Sequence, residues 1–200
     1  MCNQDNHDSN ENKLLIKFLE KTYTEINENI RFSEAKNAAL ITLNSALIAA
    51  GASKIFDAKV LLYWRVAIAI GTLLLFIPLV LSLFSFRAAT GSEKGVVKKI
   101  YSVLNKKNKI EQLTPKYMYF SYISKHFDNK PDAYLQAIDT KCRYNILEQQ
   151  MARQIVDLSG VAYRKFVLFN IAVKTECVVF SIGGLTALVI VLGKFFCSFN

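Results

Sequence analysis

VAIAIGTLLLFIPLVLSLFSF, residues 66–86, runs for 21 residues without one charged side chain. At 1.5 Å of rise per residue a helix of that length spans about 30 Å, the thickness of a bilayer's hydrocarbon core. The stretch reads as a transmembrane helix. Its polar members, Thr72, Ser82 and Ser85, can return their hydroxyls to the helix backbone. Gly71 and Pro78 are tolerated in lipid better than in a soluble helix.

Two neighbours extend the pattern. Asn37 to Ser53 and Cys177 to Gly193 each run 17 residues without charge, at the short end of the spanning range. The first carries Asn44 near its middle; the second is preceded by Lys174 and Glu176 inside an apolar stretch that begins at Phe166. The hydrophobic fraction of 52% is thus gathered into three blocks instead of being spread periodically, which marks a small integral membrane protein. The first 37 residues hold seven acids and five bases, and Lys17 interrupts their one apolar cluster. That is not a cleavable signal peptide, and the first span is expected to serve as its own insertion signal.

The expected fold is all-α: three transmembrane helices and a helical cytoplasmic region, with long helices continuous with the spans. A disordered polar tail (1–12) leads into an amphipathic helix (13–36) and the first span (37–56). A short outer link (57–65) joins it to the second span (66–86). A basic helical region (87–174), the third span (175–193) and an outer tail (194–200) follow. On one side of the spans stand eleven bases: Lys21, Arg31, Lys36, Arg87, Lys94, Lys98, Lys99, Lys106, Arg164, Lys165 and Lys174. The other side holds four, Lys54, Lys59, Arg65 and Lys194. The positive-inside rule then puts the N-terminus and residues 87–174 in the cytoplasm.

The net charge of +9 is uneven, since residues 87–176 hold sixteen bases against eight acids. Such a region suits an anionic membrane surface, and it equally suits an anionic ligand such as a nucleotide.

Leu15, Phe18, Thr22, Ile26 and Ile30 recur at helical spacing and give the first helix an apolar stripe. Val96, Val97, Ile100 and Leu104 continue the second span as a helix until Asn105 to Lys109 breaks the pattern. Thr114 before Pro115 is a helix start. The aromatic helix that follows carries Tyr117, Tyr119, Phe120, Tyr122 and Phe127, and ends at Asp128-Asn129-Lys130 before Pro131 restarts a helix through Tyr134 and Leu135. Aromatics this dense pack between helices, lie at a headgroup boundary or stack on a base. From about Asp139, Leu147, Met151, Ile155, Leu158, Ala162, Phe166 and Phe169 form a seam of coiled-coil type, open to packing within the chain or against a second copy. A helix continuing to Gly193 would be about 80 Å long and join cytoplasm to membrane as one lever. Small residues recur in the spans at Ser45, Ala49 and Ser53, at Ala67 and Gly71, and at Gly183 and Ala187, a spacing compatible with self-association.

Enzyme chemistry finds no motif: there is no Gly-rich phosphate loop, GxSxG elbow or HExxH. No catalytic residue is assigned. Cys2, Cys142, Cys177 and Cys197 form no CxxC pair, and His7 and His126 are the only histidines, so neither a metal site nor a cofactor is expected.

Arg31, Glu34 and Lys36 form a polar motif at the entry to the first span. It reads as an interface anchor or as a gating or assembly contact with Lys174 or Glu176. The string Arg31-Phe32-Ser33-Glu34-Ala35-Lys36-Asn37-Ala38, opening directly into a span, resembles the entrance signature of the Pycsar transmembrane effector family of bacterial anti-phage defence. Tyr119-Phe120-Ser121-Tyr122-Ile123, Tyr134-Leu135, Arg153-Gln154-Ile155 and Lys165-Phe166 follow in the family's order, after a tight two-span hairpin. The family's Asp before Thr-Lys-Ala is here Glu34-Ala35-Lys36-Asn37. The resemblance covers nearly the whole chain after about residue 15.

The resemblance implies a multi-pass protein of the bacterial inner membrane that responds to a cyclic pyrimidine mononucleotide, cyclic CMP or cyclic UMP, made by a partner pyrimidine cyclase. Membrane impairment and abortive infection would follow. Side-chain chemistry offers Arg143, Arg153, Arg164 and Lys165 for the phosphate, and Tyr119 and Tyr122, with Tyr117 beside them, for the base. Partners are then the lipid bilayer, the cyclic nucleotide and further copies of the chain in a homo-oligomer, with no nucleic acid polymer. The lining of residues 66–86 offers almost no polar surface for ions, so a leak is expected from the packing of several copies or from bilayer thinning ahead of a channel built within one chain. A constitutive membrane scaffold that recruits a cytosolic partner is the competing reading.

Overall fold

The computed structural model describes residues 2–86, 116–139 and 144–197, with side chains between residues 13 and 193. Every described element is a helix: α1 (Cys2–Ile55), α2 (Leu62–Phe86), α3 (Phe120–His126), α4 (Pro131–Ile138) and α5 (Ile146–Cys197). Three of them, α1, α2 and α5, are long and apolar enough to cross a membrane. The protein is therefore an all-α membrane protein with three spans. The basic extension after Arg87, the helix start at Thr114-Pro115, and Cys142 and Arg143 lie outside the described residues.

Helix α1 begins at Cys2, inside the stretch expected to be a disordered tail. Residues 2–12 contain neither proline nor glycine, so no residue there breaks a helix. It continues without interruption into the first span, as expected. Between Ile55 and Leu62 the chain turns at Asp57, whose carboxylate accepts the Lys59 amide at 3.0 Å while its carbonyl accepts the Val60 amide at 3.1 Å. Asn129 takes a positive φ of 57° in the turn that closes α3, and Pro131 occupies the first turn of α4. Both are conformations these residues favour, and this turn is where the sequence placed it. Helix α5 starts later than Asp139, which is extended. Its start carries the return half of a capping box: the Asn145 amide donates to Glu148 Oε2 at 2.7 Å, the bond of the third helical residue back to the cap.

The chain divides into two compact units, residues 1–32 with 88–164, and residues 33–87 with 165–200. In the first, Leu15, Leu19, Thr22 and Ile26 of α1, Phe120 and Ile123 of α3, Tyr134 and Leu135 of α4, and Ala152, Ile155, Val156, Ser159 and Ala162 of α5 are buried. Tyr134 anchors this core. It is fully buried, its hydroxyl donates to the Tyr117 carbonyl at 2.9 Å, and Phe127 meets its ring edge-on at 5.4 Å. Burial pushes its phenol pKa up, partly offset by a hydrogen bond with Thr22.

Of the seam expected on α5, Ile155 and Ala162 are buried, whereas Leu147 is 54% exposed and the buried places next to Leu147, Met151 and Leu158 go to Glu148, Ala152 and Ser159. Small Ala and Ser side chains admit a neighbouring helix more closely than Leu or Met, so the larger residues Met151 and Leu158 end on the half-buried shoulders.

The second unit is polar inside and apolar outside. Ser33, Asn37, Leu40 and Asn44 of α1, Leu75, Pro78, Ser82 and Ser85 of α2, and Lys165, Leu168, Ala172, Glu176 and Val179 of α5 are its buried residues, each set spaced by three or four. Leu73, Ile77, Val80, Leu83, Leu188 and Val189 are exposed. Water would favour the reverse arrangement, so these outer faces are built for lipid. The small-residue positions named above are not where the helices close up. Ser45, Ala49 and Ser53 are exposed, and a Cβ at Gly71 or Gly183 would meet open space. Gly51 is different: a Cβ there would stand 2.2 Å from Thr72 Oγ1. Gly51→Val is expected to lower stability by about 1–3 kcal/mol, as overpacking does, while Gly71→Ala leaves it unchanged or higher. Thermal unfolding of both variants in the same detergent reads the difference.

Candidate functional site

At the entry to the spans, the Lys165 ammonium donates to Glu34 Oε1. The Lys165 side chain is only 9% exposed, whereas Glu34 keeps 43%. A lysine this buried requires a counter-charge, and Glu34 is the one it has. Lys36 Nζ stands 5.5 Å from the centre of the Phe169 ring and 6.0 Å from that of Phe166, within cation–π range. The entry motif thus finds its partners on α5, but not those expected from the sequence. Glu34 takes Lys165 instead of Lys174, which is exposed. Glu176 contacts Asn44 through a side-chain hydrogen bond.

Further along the unit the buried polar groups form a seam. The Asn37 amide nitrogen donates to the Ser33 carbonyl at 2.9 Å and to Ser85 Oγ at 2.9 Å, which ties α1 to α2. The Asn44 amide nitrogen donates to the Leu40 carbonyl at 3.0 Å. Ser33 Oγ, Asn37 Oδ1, Asn44 Oδ1, Ser82 Oγ and Glu176 Oε1 are buried without a hydrogen-bond partner among the described residues. Each such group costs about 1–3 kcal/mol relative to its paired form. Of the three hydroxyls expected to return to their own backbone, Ser85 instead accepts from Asn37, Ser82 has no partner, and Thr72 abuts Gly51. Residues 66–86 are apolar toward lipid, as read from the sequence, yet their buried face adds two serines to an oxygen-lined seam. Ser33, Asn37 and Asn44, at steps of four and seven inside a span, were the signal for it.

Of the described nucleotide candidates, Tyr122 stands on α3 and Arg153, Arg164 and Lys165 on α5. Arg153 is exposed, Arg164 donates from Nε to the Gly160 carbonyl at 3.0 Å, and Lys165 is held by Glu34. Tyr119 is 52% exposed with its ring centre 4.9 Å from that of Phe120. Tyr122 stacks on His126 at 4.1 Å and meets Tyr117 edge-on at 5.9 Å. Arg143 lies outside the described residues. Arg31, the first member of the entry motif, is exposed.

The family model of the Pycsar effector protein domain matches residues 18–196. The chain belongs to that family. Neither a curated protein nor a solved structure matches it. For this Pycsar effector the matched interval takes in the Glu34–Lys165 pair, the whole polar seam, and helices α3 and α4. The resemblance read from the entry string and the later motifs is thereby established. Membership gives the protein a role in the Pycsar anti-phage system, as a transmembrane effector.

Proposed function

We propose that this Pycsar effector sits in the bacterial inner membrane with its N-terminus in the cytoplasm, binds cyclic CMP or cyclic UMP, and responds by impairing the membrane so that the infected cell dies before phage are released. The observation that carries this reading is the extent of the family match, residues 18–196, which takes in the spans and helices α3 and α4 of the other unit. The asymmetry of eleven bases against four supports the orientation. A cyclic mononucleotide brings one phosphate charge and one aromatic base. Arg153 and Tyr119, both exposed, offer a guanidinium and a ring for them; Arg164, Tyr122 and Arg143 complete the proposed set. Lys165 serves the ion pair with Glu34. The ligand acts through its differential affinity for resting and active states, as any effector must. Copies of the chain assemble as a homo-oligomer in this reading, and the nucleotide comes from a partner pyrimidine cyclase.

Calorimetric titration of the purified full chain with cyclic CMP, cyclic UMP and, as a control, cyclic AMP tests the sensor. Saturable heat with one pyrimidine nucleotide and none with cyclic AMP supports it. No binding of either pyrimidine nucleotide rejects direct sensing.

A further inference from the structure

The seam of the second unit presents oxygen atoms from all three spans: Ser33, Asn37 and Asn44 from α1, Ser82 and Ser85 from α2, Glu176 from α5. Five of these side chains have an oxygen that is buried and without a hydrogen-bond partner among the described residues. Glu176 is 5% exposed and meets the Asn44 side chain, and no described cation pairs with it. The Lys165 ammonium, which could have neutralised the seam, is held at the entry by Glu34.

This composition has a definite chemistry. Carboxylate and amide oxygens are ligands for hard cations, and hydroxyls both accept and donate, so they pass water along a file. A single carboxylate balances one positive charge, whereas a divalent ion asks for six or more oxygens and usually several carboxylates. The oxygens are closed to solvent in this structure, and water is the donor that would satisfy all of them at once. Separation of the three helices by about the width of a water molecule would admit it. A wholly apolar three-helix interface would gain no such bonds on opening.

We propose that the oxygen-lined seam of one protomer is the route of the leak: on activation it fills with water and conducts monovalent cations, with Glu176 and Asn44 forming the site that selects for positive charge. The inference rests on the membrane-impairment reading above and locates the damage within one chain rather than between copies.

The test is the full chain in planar bilayers under a KCl gradient, with cyclic CMP or cyclic UMP added. The wild type should give currents that reverse toward the potassium equilibrium potential. In Glu176→Gln the preference for potassium over chloride should fall about fivefold or more, because the selecting charge is gone, and Glu176→Asp should retain it. Currents in Glu176→Gln with unchanged cation preference, or a wild type that prefers anions, overturn the inference and leave membrane impairment standing. A wild type silent with both nucleotides rejects the impairment reading and this one together. A second readout needs no current. Ser82→Cys should react with a water-soluble cationic methanethiosulfonate about tenfold faster once nucleotide is added, while Leu73→Cys, on the lipid face, should not change. Equal rates for Ser82→Cys with and without nucleotide overturn the inference as well.

Discussion

Glu34→Lys is expected to be the most damaging single charge change in this effector, and Lys165→Glu in the same chain is expected to repair it. The reversal places two ammonium groups together where one is already buried, at 9% side-chain exposure. Removing one partner of a fully buried pair costs about 3–5 kcal/mol. Glu34 is partly exposed, so Glu34→Gln should fall below that range at about 1–3 kcal/mol, while like-charge repulsion puts Glu34→Lys above it. Lys165→Met, which removes the buried charge and keeps the length, should be milder than either change at Glu34. Lys174→Glu should not repair Glu34→Lys, because Lys174 is exposed and Glu34 pairs with Lys165. Thermal unfolding of the three single variants and the two double variants in one detergent decides the matter. Rescue through position 174 would refute the pairing.

The second large effect lies in the other unit. Tyr134→Ala removes a fully buried aromatic ring and should cost about 3–5 kcal/mol, enough to unfold a unit of ordinary stability. Tyr134→Phe keeps the ring and loses the hydroxyl's bonds to the Tyr117 carbonyl and to Thr22, for about 1–2 kcal/mol. The two variants also separate the phenol's pH dependence. Because burial raises the folded-state pKa of Tyr134, folded and unfolded chains bind the same proton below about pH 10, and stability does not depend on this group there. Above that pH the unfolded chain releases the proton while the folded chain holds it, so stability falls as pH rises. Denaturant unfolding at pH 8 and near pH 11 should show a steeper loss for the wild type than for Tyr134→Phe, with equal losses contradicting the assignment.

The spans and helices were legible in the sequence because they depend on local properties: uncharged length, helical spacing, and the turn at Asn129 before Pro131. What was not legible depended on which faces meet. The sequence offered Leu147, Met151 and Leu158 alongside Ile155 and Ala162 as the seam of α5, since large apolar residues dominate a periodic stripe; Ile155 and Ala162 are buried as read, but close helix packing selected Ala152 and Ser159 over their larger neighbours. The same reasoning paired Glu34 with Lys174 by matching depth in the membrane. Depth does not specify which side of a helix faces inward, and Lys165, nine residues earlier, is the lysine on the packed face. The serines of α2 looked self-contained because a hydroxyl can always bond its own backbone. Only the arrival of Asn37 on the same face turned Ser85 outward from its own helix and made the polar seam visible.

A cyclic pyrimidine nucleotide, acting on this chain alone, is expected to make a membrane leak. Purified full-length protein in liposomes loaded with a self-quenched dye and with potassium, challenged with cyclic CMP and cyclic UMP, tests it most directly. Potassium efflux is expected with one of the two nucleotides and none with cyclic AMP, with the bulky dye retained if the route is the narrow seam. Liposomes that hold potassium equally well with and without both pyrimidine nucleotides would contradict it.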